Sequence, residues 1–247
     1  MPRADRGGRQ DGPPDPGSVA ELLWRTSAEP DREARHRLSA RLIVDTAVSL
    51  ADAEGLGPLS MQRVAGELGC TAMALYRHVP GKDHLLAAMV DTATGRPPAP
   101  ADPPGGWRAE VETWVDALWD LYLRHPWVTK APTTGAPVGP NELAWFEALL
   151  SPLARSGLDR AELVPIATFV SGAVRDLARV ATELDPAGAA AYGEVLARHL
   201  DPARFPVLCS LAGTDGFEED EDGDVTPIVR SGVRRLLDGI EARPGPH

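Results

Sequence analysis

The sequence predicts an all-α fold, a small helical module followed by a larger helical bundle. Apolar residues recur at steps of three and four through most of the chain, which is the period of one helix face. Ser or Thr precedes many of these runs and Gly or Pro follows them, as caps and stops do. No run alternates apolar with polar residues as a half-buried strand would. With 247 residues, 43 % of them hydrophobic, the chain has room for one large or two modest domains, each with a proper core.

Residues 1–37 are polar and rich in Pro and Gly, with one apolar patch at Val19, Leu22, Leu23 and Trp24. They predict a flexible extension carrying a helical turn or two. Ser39 is placed to cap a helix with Leu42, Ile43, Ala47, Leu50 and Ala51, closed by Gly55 and Gly57. Ser60 caps a short one with Val64 and Leu68, closed by Gly69. Thr71 caps the next, with Leu75, Tyr76 and Val79, stopped by Pro80. A fourth starts near Lys82 and Asp83 and runs through Leu85, Leu86 and Met89.

The Pro/Gly-rich stretch 96–106 predicts a linker, so residues 38–95 and 105–247 read as separate domains. Beyond it, Trp107, Val111, Trp114, Val115, Leu118, Leu121 and Tyr122 mark an amphipathic helix, and Pro126 ends it or starts a short one. Leu143, Phe146, Leu149, Leu150 and Leu153 mark another, stopped by Gly157. Leu163, Ile166, Ala167, Val170, Val174, Leu177, Ala178 and Leu184 mark a long one. The alanine-rich stretch 187–200 is compatible with a further helix. Thr226 caps and Pro227 opens a last helix with Val229, Val233, Leu236, Leu237 and Ile240.

The formal net charge is −11, but it is unevenly spread. From Arg32 to Arg96 there are eight basic and seven acidic residues, and from Pro97 to His247 thirteen basic and twenty-three acidic. The acidity that would argue against a nucleic-acid partner therefore belongs to the C-terminal part. Two cysteines, Cys70 and Cys209, exclude a disulfide scaffold and a Cys-based zinc site. No apolar run approaches the roughly 18 residues of a membrane span. The N-terminus lacks the apolar stretch of a signal peptide. A soluble, cytoplasmic protein is expected, with no membrane partner.

Residues 60–82 carry the most information. Two short helices flank the turn Gly69-Cys70-Thr71. Ala65 stands where the helices cross, and Gly69 where a positive φ is cheap. Val64, Leu68, Leu75 and Val79 are spaced to fill the angle between them. A helix-turn-helix that reads DNA has this pattern, and so does an ordinary αα corner in a bundle. After the turn come Tyr76, Arg77 and His78, and then Lys82 at the start of the next helix. A tyrosine hydroxyl, an imidazole N–H and an ammonium can each donate to phosphate oxygens, and a helix N-terminus favours an anion.

Residues 38–95, above all Leu75-Tyr76-Arg77-His78-Val79-Pro80-Gly81-Lys82-Asp83, resemble the TetR family of bacterial transcriptional repressors. Trp107-Arg108, His125-Pro126-Trp127 and Gly139-Pro140-Asn141 are similar to the C-terminal domain of its tetracycline-repressor-like branch. The resemblance implies a homodimer with N-terminal DNA-binding heads and a C-terminal core for ligand binding and dimerisation. It implies repression at a near-palindromic double-stranded operator and release by a small inducer. It puts Tyr76, His78 and Lys82 at phosphate-contact positions. Thr71, Ala72, Met73, Ala74 and Arg77 then form the base-facing side of the recognition helix, and Arg63 is a first-helix residue able to reach a base. Ala72, Met73 and Ala74 carry no side-chain donors, so they can offer only apolar contact to thymine methyls, and Arg77 and Arg63 become the candidates for guanine. Arg32, Arg35 and Arg37 precede the first family helix, as a solvated tail or as an arm on the DNA.

In the C-terminal part, the aromatics Trp114, Trp119, Tyr122, Trp127, Trp145, Phe146 and Phe169 serve either as core or as the walls of a pocket. The expected pocket set is Trp114, Tyr122, His125, Trp127, Trp145 and Phe169, with Thr129 and Thr168 as further polar groups, for an apolar or amphipathic inducer. Leu163–Leu184 and Val229–Ile240 are the expected dimerisation helices, with Gly172, Ala173 and Gly232 permitting close packing. The acidic run Glu218–Asp224 fails the spacing of a calcium loop and reads as a solvated loop. The six histidines have no metal-ligand spacing, and no nucleophile elbow or phosphate-cradling loop occurs. No catalytic residue, metal or cofactor is expected. The rival is an all-α small-molecule-binding or enzymatic protein whose helix-turn-helix is only structural.

Overall fold

The computed structural model describes residues 14–27, 38–99, 106–132, 137–183, 195, 198–211 and 226–242. Among them every regular element is a helix: α1 Pro16–Ser27, α2 Ala40–Glu54, α3 Met61–Glu67, α4 Ala72–Tyr76, α5 Lys82–Thr94, α6 Trp107–Arg124, α7 Pro126–Lys130, α8 Pro140–Leu153, α9 Arg160–Glu183, α10 Pro206–Leu211 and α11 Thr226–Glu241. No described helix is long and apolar enough to cross a membrane. The arginines 32, 35 and 37, most of 187–200, the acidic run 218–224 and part of the 96–106 linker lie outside the described residues.

The chain divides into two compact units. The first is Met1–Arg96 with Ala131–Ala144, and the second Pro97–Lys130 with Trp145–His247. In the first, the Ser39 hydroxyl accepts from the Leu42 N–H at 3.2 Å and opens α2. Ser60 does the same for α3 through the Arg63 N–H at 3.1 Å. Each bond satisfies one of the orphan donors of a first helical turn. The apolar spacing of α2 and α5 buries Ile43, Val44, Ala47, Leu85, Ala88 and Met89 completely.

The apolar patch near the N-terminus forms more than a turn or two. It is α1, 12 residues long, with Val19, Leu22 and Leu23 buried, and it packs on α5 and α2. A helix this short is marginal by itself. Burial of each such side chain is worth about 1.5–3 kcal/mol, and that packing holds it in place.

In the second unit, α6 and α9 pack along their apolar faces, and α11 lies against both. The core joins Val111, Trp114, Leu118 and Leu121 of α6 to Leu149 and Leu153 of α8 and Val170 and Val174 of α9. Val229, Val233, Leu237 and Ile240 of α11 complete it. Arg108 ties the two termini: its guanidinium donates to Asp238 at 2.6 Å and Glu241 at 2.9 Å on α11. α8 contributes its first residues to the first unit and the remainder to the second. The short α10 has no predicted counterpart, because six residues are too few to display a period.

Candidate nucleic-acid interface and ligand core

The turn between α3 and α4 is built by its glycine. Gly69 has φ +63°, the left-handed region that costs a side chain but not glycine. The Cys70 N–H donates to the Ala65 carbonyl at 3.0 Å and the Gly69 N–H to the Gly66 carbonyl at 3.2 Å. This pair of bonds closes a helix and redirects the chain. Thr71 holds the N-cap position of α4, but its hydroxyl makes no capping bond. α4 ends at Tyr76, and Arg77 is its C-cap. Leu75 and Val79 are fully buried and anchor this segment from below.

What remains outward is the expected DNA-facing set. Met73 is 75 % and Tyr76 43 % exposed. Thr71, Arg77 and Lys82 are exposed as well, and Ala72, Ala74 and His78 are half-buried. Lys82 opens α5, whose N-cap Gly81 offers no side-chain bond to the first-turn N–H groups. Arg63 is differently placed. Its guanidinium donates to Glu54 at 2.7 Å and to Glu67 at 2.8 Å, and these carboxylates push its pKa further up. Reaching a base would require exchanging both partners.

Two features of this unit escape the sequence reading. The guanidinium of Arg25, on α1, donates to the carbonyl of His78 at 2.9 Å. Asp91, near the end of α5 and 2 % exposed, accepts at Oδ1 from the N–H groups of Asn141 (2.9 Å) and Glu142 (3.0 Å) at the start of α8. The Asn141 amide donates to Asp91 Oδ2 at 3.0 Å. Burial pushes the Asp91 carboxyl above the usual range, against the pull of these three donors. A Cβ on Gly139 would come within 2.1 Å of Asp91 Oδ1, so this clamp needs a glycine there. The signal in the sequence is Gly139-Pro140-Asn141, but its partner stands fifty residues earlier.

The expected pocket residues fall into two groups. The Trp114 and Trp145 rings meet edge-on at 5.7 Å, and the Trp114 indole N–H donates to the Trp145 carbonyl at 2.8 Å. Tyr122 packs half-buried against the same cluster. His125 and the buried Trp127 form a second edge-on pair at 6.3 Å. Phe169 joins neither: it is 63 % exposed on α9, and Thr168 beside it is exposed too. The Thr129 hydroxyl is spent on the Pro126 carbonyl at 2.9 Å. Trp119 differs from Trp114: it is 4 % exposed, yet its indole N–H has no acceptor among the described residues. A surface groove of about 370 Å³ runs between α6 and α11, lined by Glu112, Val115, Asp116, Arg230, Val233 and Arg234. None of the expected pocket aromatics is among these residues.

Comparison with known proteins gives two family matches. Residues 43–89 match the family described as bacterial regulatory proteins, tetR family. Residues 99–243 match the tetracyclin repressor-like C-terminal domain. The HTH-type transcriptional repressor DrrR1 of Streptomyces coeruleorubidus is 36 % identical over 232 residues, covering 90 % of this chain and 84 % of its own. A crystal structure of the TetR family protein ActR of Streptomyces coelicolor in complex with (S)-DNPA is similar with a TM-score of 0.71. It has 28 % identity and covers 83 % of this chain and 98 % of its own. ActR in complex with actinorhodin gives a TM-score of 0.70 at 26 % identity, covering 83 % and 96 %.

Proposed function

The chain belongs to the TetR family of bacterial transcriptional regulators, and on that premise we propose that a homodimer of it represses from a near-palindromic DNA operator and is released by a small inducer. It is a transcriptional repressor and not an enzyme; the dimer, the operator, the cytoplasmic site of action and the inducer are the proposal. The observation that carries it is the exposed set Thr71, Met73, Tyr76, Arg77 and Lys82, held outward by the buried Leu75 and Val79 beyond a glycine turn. An αα corner that is only structural has no reason to expose a methionine, a tyrosine and two cations together. In the proposed footprint Tyr76, His78 and Lys82 take phosphates, and Arg77 takes a base edge.

The inducer site is proposed in the α6–α8–α9 core. Trp119 supports a ligand with an oxygen acceptor, since a buried donor without a partner costs about 1–3 kcal/mol that such an oxygen would recover. ActR, a similar structure, is known bound to actinorhodin, so that compound is the first probe. DNA-binding and ligand-binding free energies must be linked reciprocally. Titrating the dimer with actinorhodin and related aromatic compounds, with and without an operator selected from random duplexes, should show operator weakening the active compound by about 5–150-fold. Tryptophan fluorescence reports the binding. If every compound that binds does so equally in both titrations, release by inducer is wrong for this protein.

A further inference from the structure

We infer that Arg25 is a DNA phosphate contact, and that α1 extends the operator footprint beyond the helix-turn-helix; this rests on the DNA-binding proposal above. α1 lies before residues 43–89, which match the family's DNA-binding region, so the family's own contacts do not account for it. Its inner face is spoken for, since Val19, Leu22, Leu23 and Thr26 are buried. Its outer face carries Arg25 to the carbonyl of His78 at 2.9 Å. His78 stands between Tyr76 and Lys82, two of the three phosphate donors of the proposed footprint. The Arg25 guanidinium is therefore held at the edge where the DNA backbone would lie.

Charge sharpens the inference. In the first unit, Arg41 is tied to Asp45 and Arg63 to Glu54 and Glu67. Arg25, Arg77 and Lys82 have no carboxylate within ion-pair distance among the described residues. A guanidinium carries five N–H donors, and the carbonyl of His78 takes one. The remaining donors sit on an exposed side chain with its charge unneutralised, which is the state a phosphate contact requires. The bond to His78 also fixes the direction of the guanidinium before DNA arrives, so little side-chain freedom is lost on binding.

Arg25→Gln and Arg25→Lys in the full chain separate charge from geometry. Gln can keep a donor for the His78 carbonyl but loses the charge, and Lys keeps the charge. Affinity for the selected operator is measured by fluorescence anisotropy across a salt series, with Lys82→Ala as reference and thermal melting to verify the fold. Arg25→Gln should lower the slope of log K against log salt by about one per half-site. For a dimer, its loss of affinity between about 50 and 200 mM salt should then be about tenfold smaller than that of the wild type. Arg25→Lys should keep most of the slope. If Lys82→Ala lowers the slope and Arg25→Gln leaves it at the wild-type value, Arg25 only braces His78 and the inference is overturned while DNA binding stands. If the wild type itself selects no duplex, both fall.

Discussion

At the scale of the residue, Arg77 is the side chain on which the proposed sequence preference depends most. Its neighbours Ala72, Met73 and Ala74 offer only apolar contact, and Arg63, the other candidate for guanine, is held by two carboxylates. A bidentate arginine on guanine discriminates by about 1–3 kcal/mol against the wrong base. Arg77→Ala should therefore relax preference at one position per half-site, while duplexes selected by the variant stay near-palindromic. Selection from a random pool, run in parallel on both proteins, measures this. Identical selected sites would reduce Arg77 to a backbone contact at most. Thr71 is a second uncommitted donor on this face, because its hydroxyl makes no capping bond.

At the scale of the element, α5 and α8 are joined by one buried carboxylate. Asp91 replaces the side-chain cap that α8 lacks at its start, satisfying two orphan N–H groups. The native pKa of Asp91 is raised by burial, so the native state binds its proton more tightly than the unfolded chain. The stability it contributes is therefore full below the unfolded value near 3.8 and declines as pH rises through the raised native value. This is opposite to the sign of an exposed, ion-paired aspartate. Asp91→Asn removes that titration. The melting temperature of the wild type minus that of the variant should fall between about pH 4 and pH 7. A difference that rises with pH would mean that the three donors outweigh burial and hold the carboxylate charged.

At the scale of the whole molecule, the proposed dimer turns on faces of α9 and α11 that the subunit itself does not use. The stripe of Val229, Val233, Leu237 and Ile240 is consumed in the subunit's own core, as are Val170 and Val174. Outside that core, Val164 and Phe169 on α9 are 54 % and 63 % exposed, and Ile228 on α11 is 57 % exposed. The exposed Gly172, Gly232 and Gly239 lie on these helices and leave room for close approach. Apolar groups this exposed on two helices suit a self-complementary two-fold contact. Phe169→Glu should yield a folded monomer by sedimentation. Its operator affinity should drop by ~10²-fold or more, because the second head then binds without the benefit of effective concentration. A dimer with unchanged affinity would move the interface elsewhere.

The sequence by itself determined the helical class, the helices with long periods, the capping serines at 39 and 60, and the glycine turn at 69. These are local properties, set by spacing along a few turns and by the φ that a single residue tolerates. It also marked the outward residues of α4, because apolar anchors at Leu75 and Val79 leave the positions between them facing solvent. Only the tertiary structure decided what depends on partners far along the chain. The Asp91 clamp joins residues fifty apart, and Arg25 reaches His78 across fifty-three. Arg63 is drawn away by Glu54 and Glu67, and Phe169 turns to solvent on α9, apart from the other expected pocket aromatics. A helical period says that one face is buried, but which residues lie against it, and which polar groups they satisfy, is settled only by the elements that pack there.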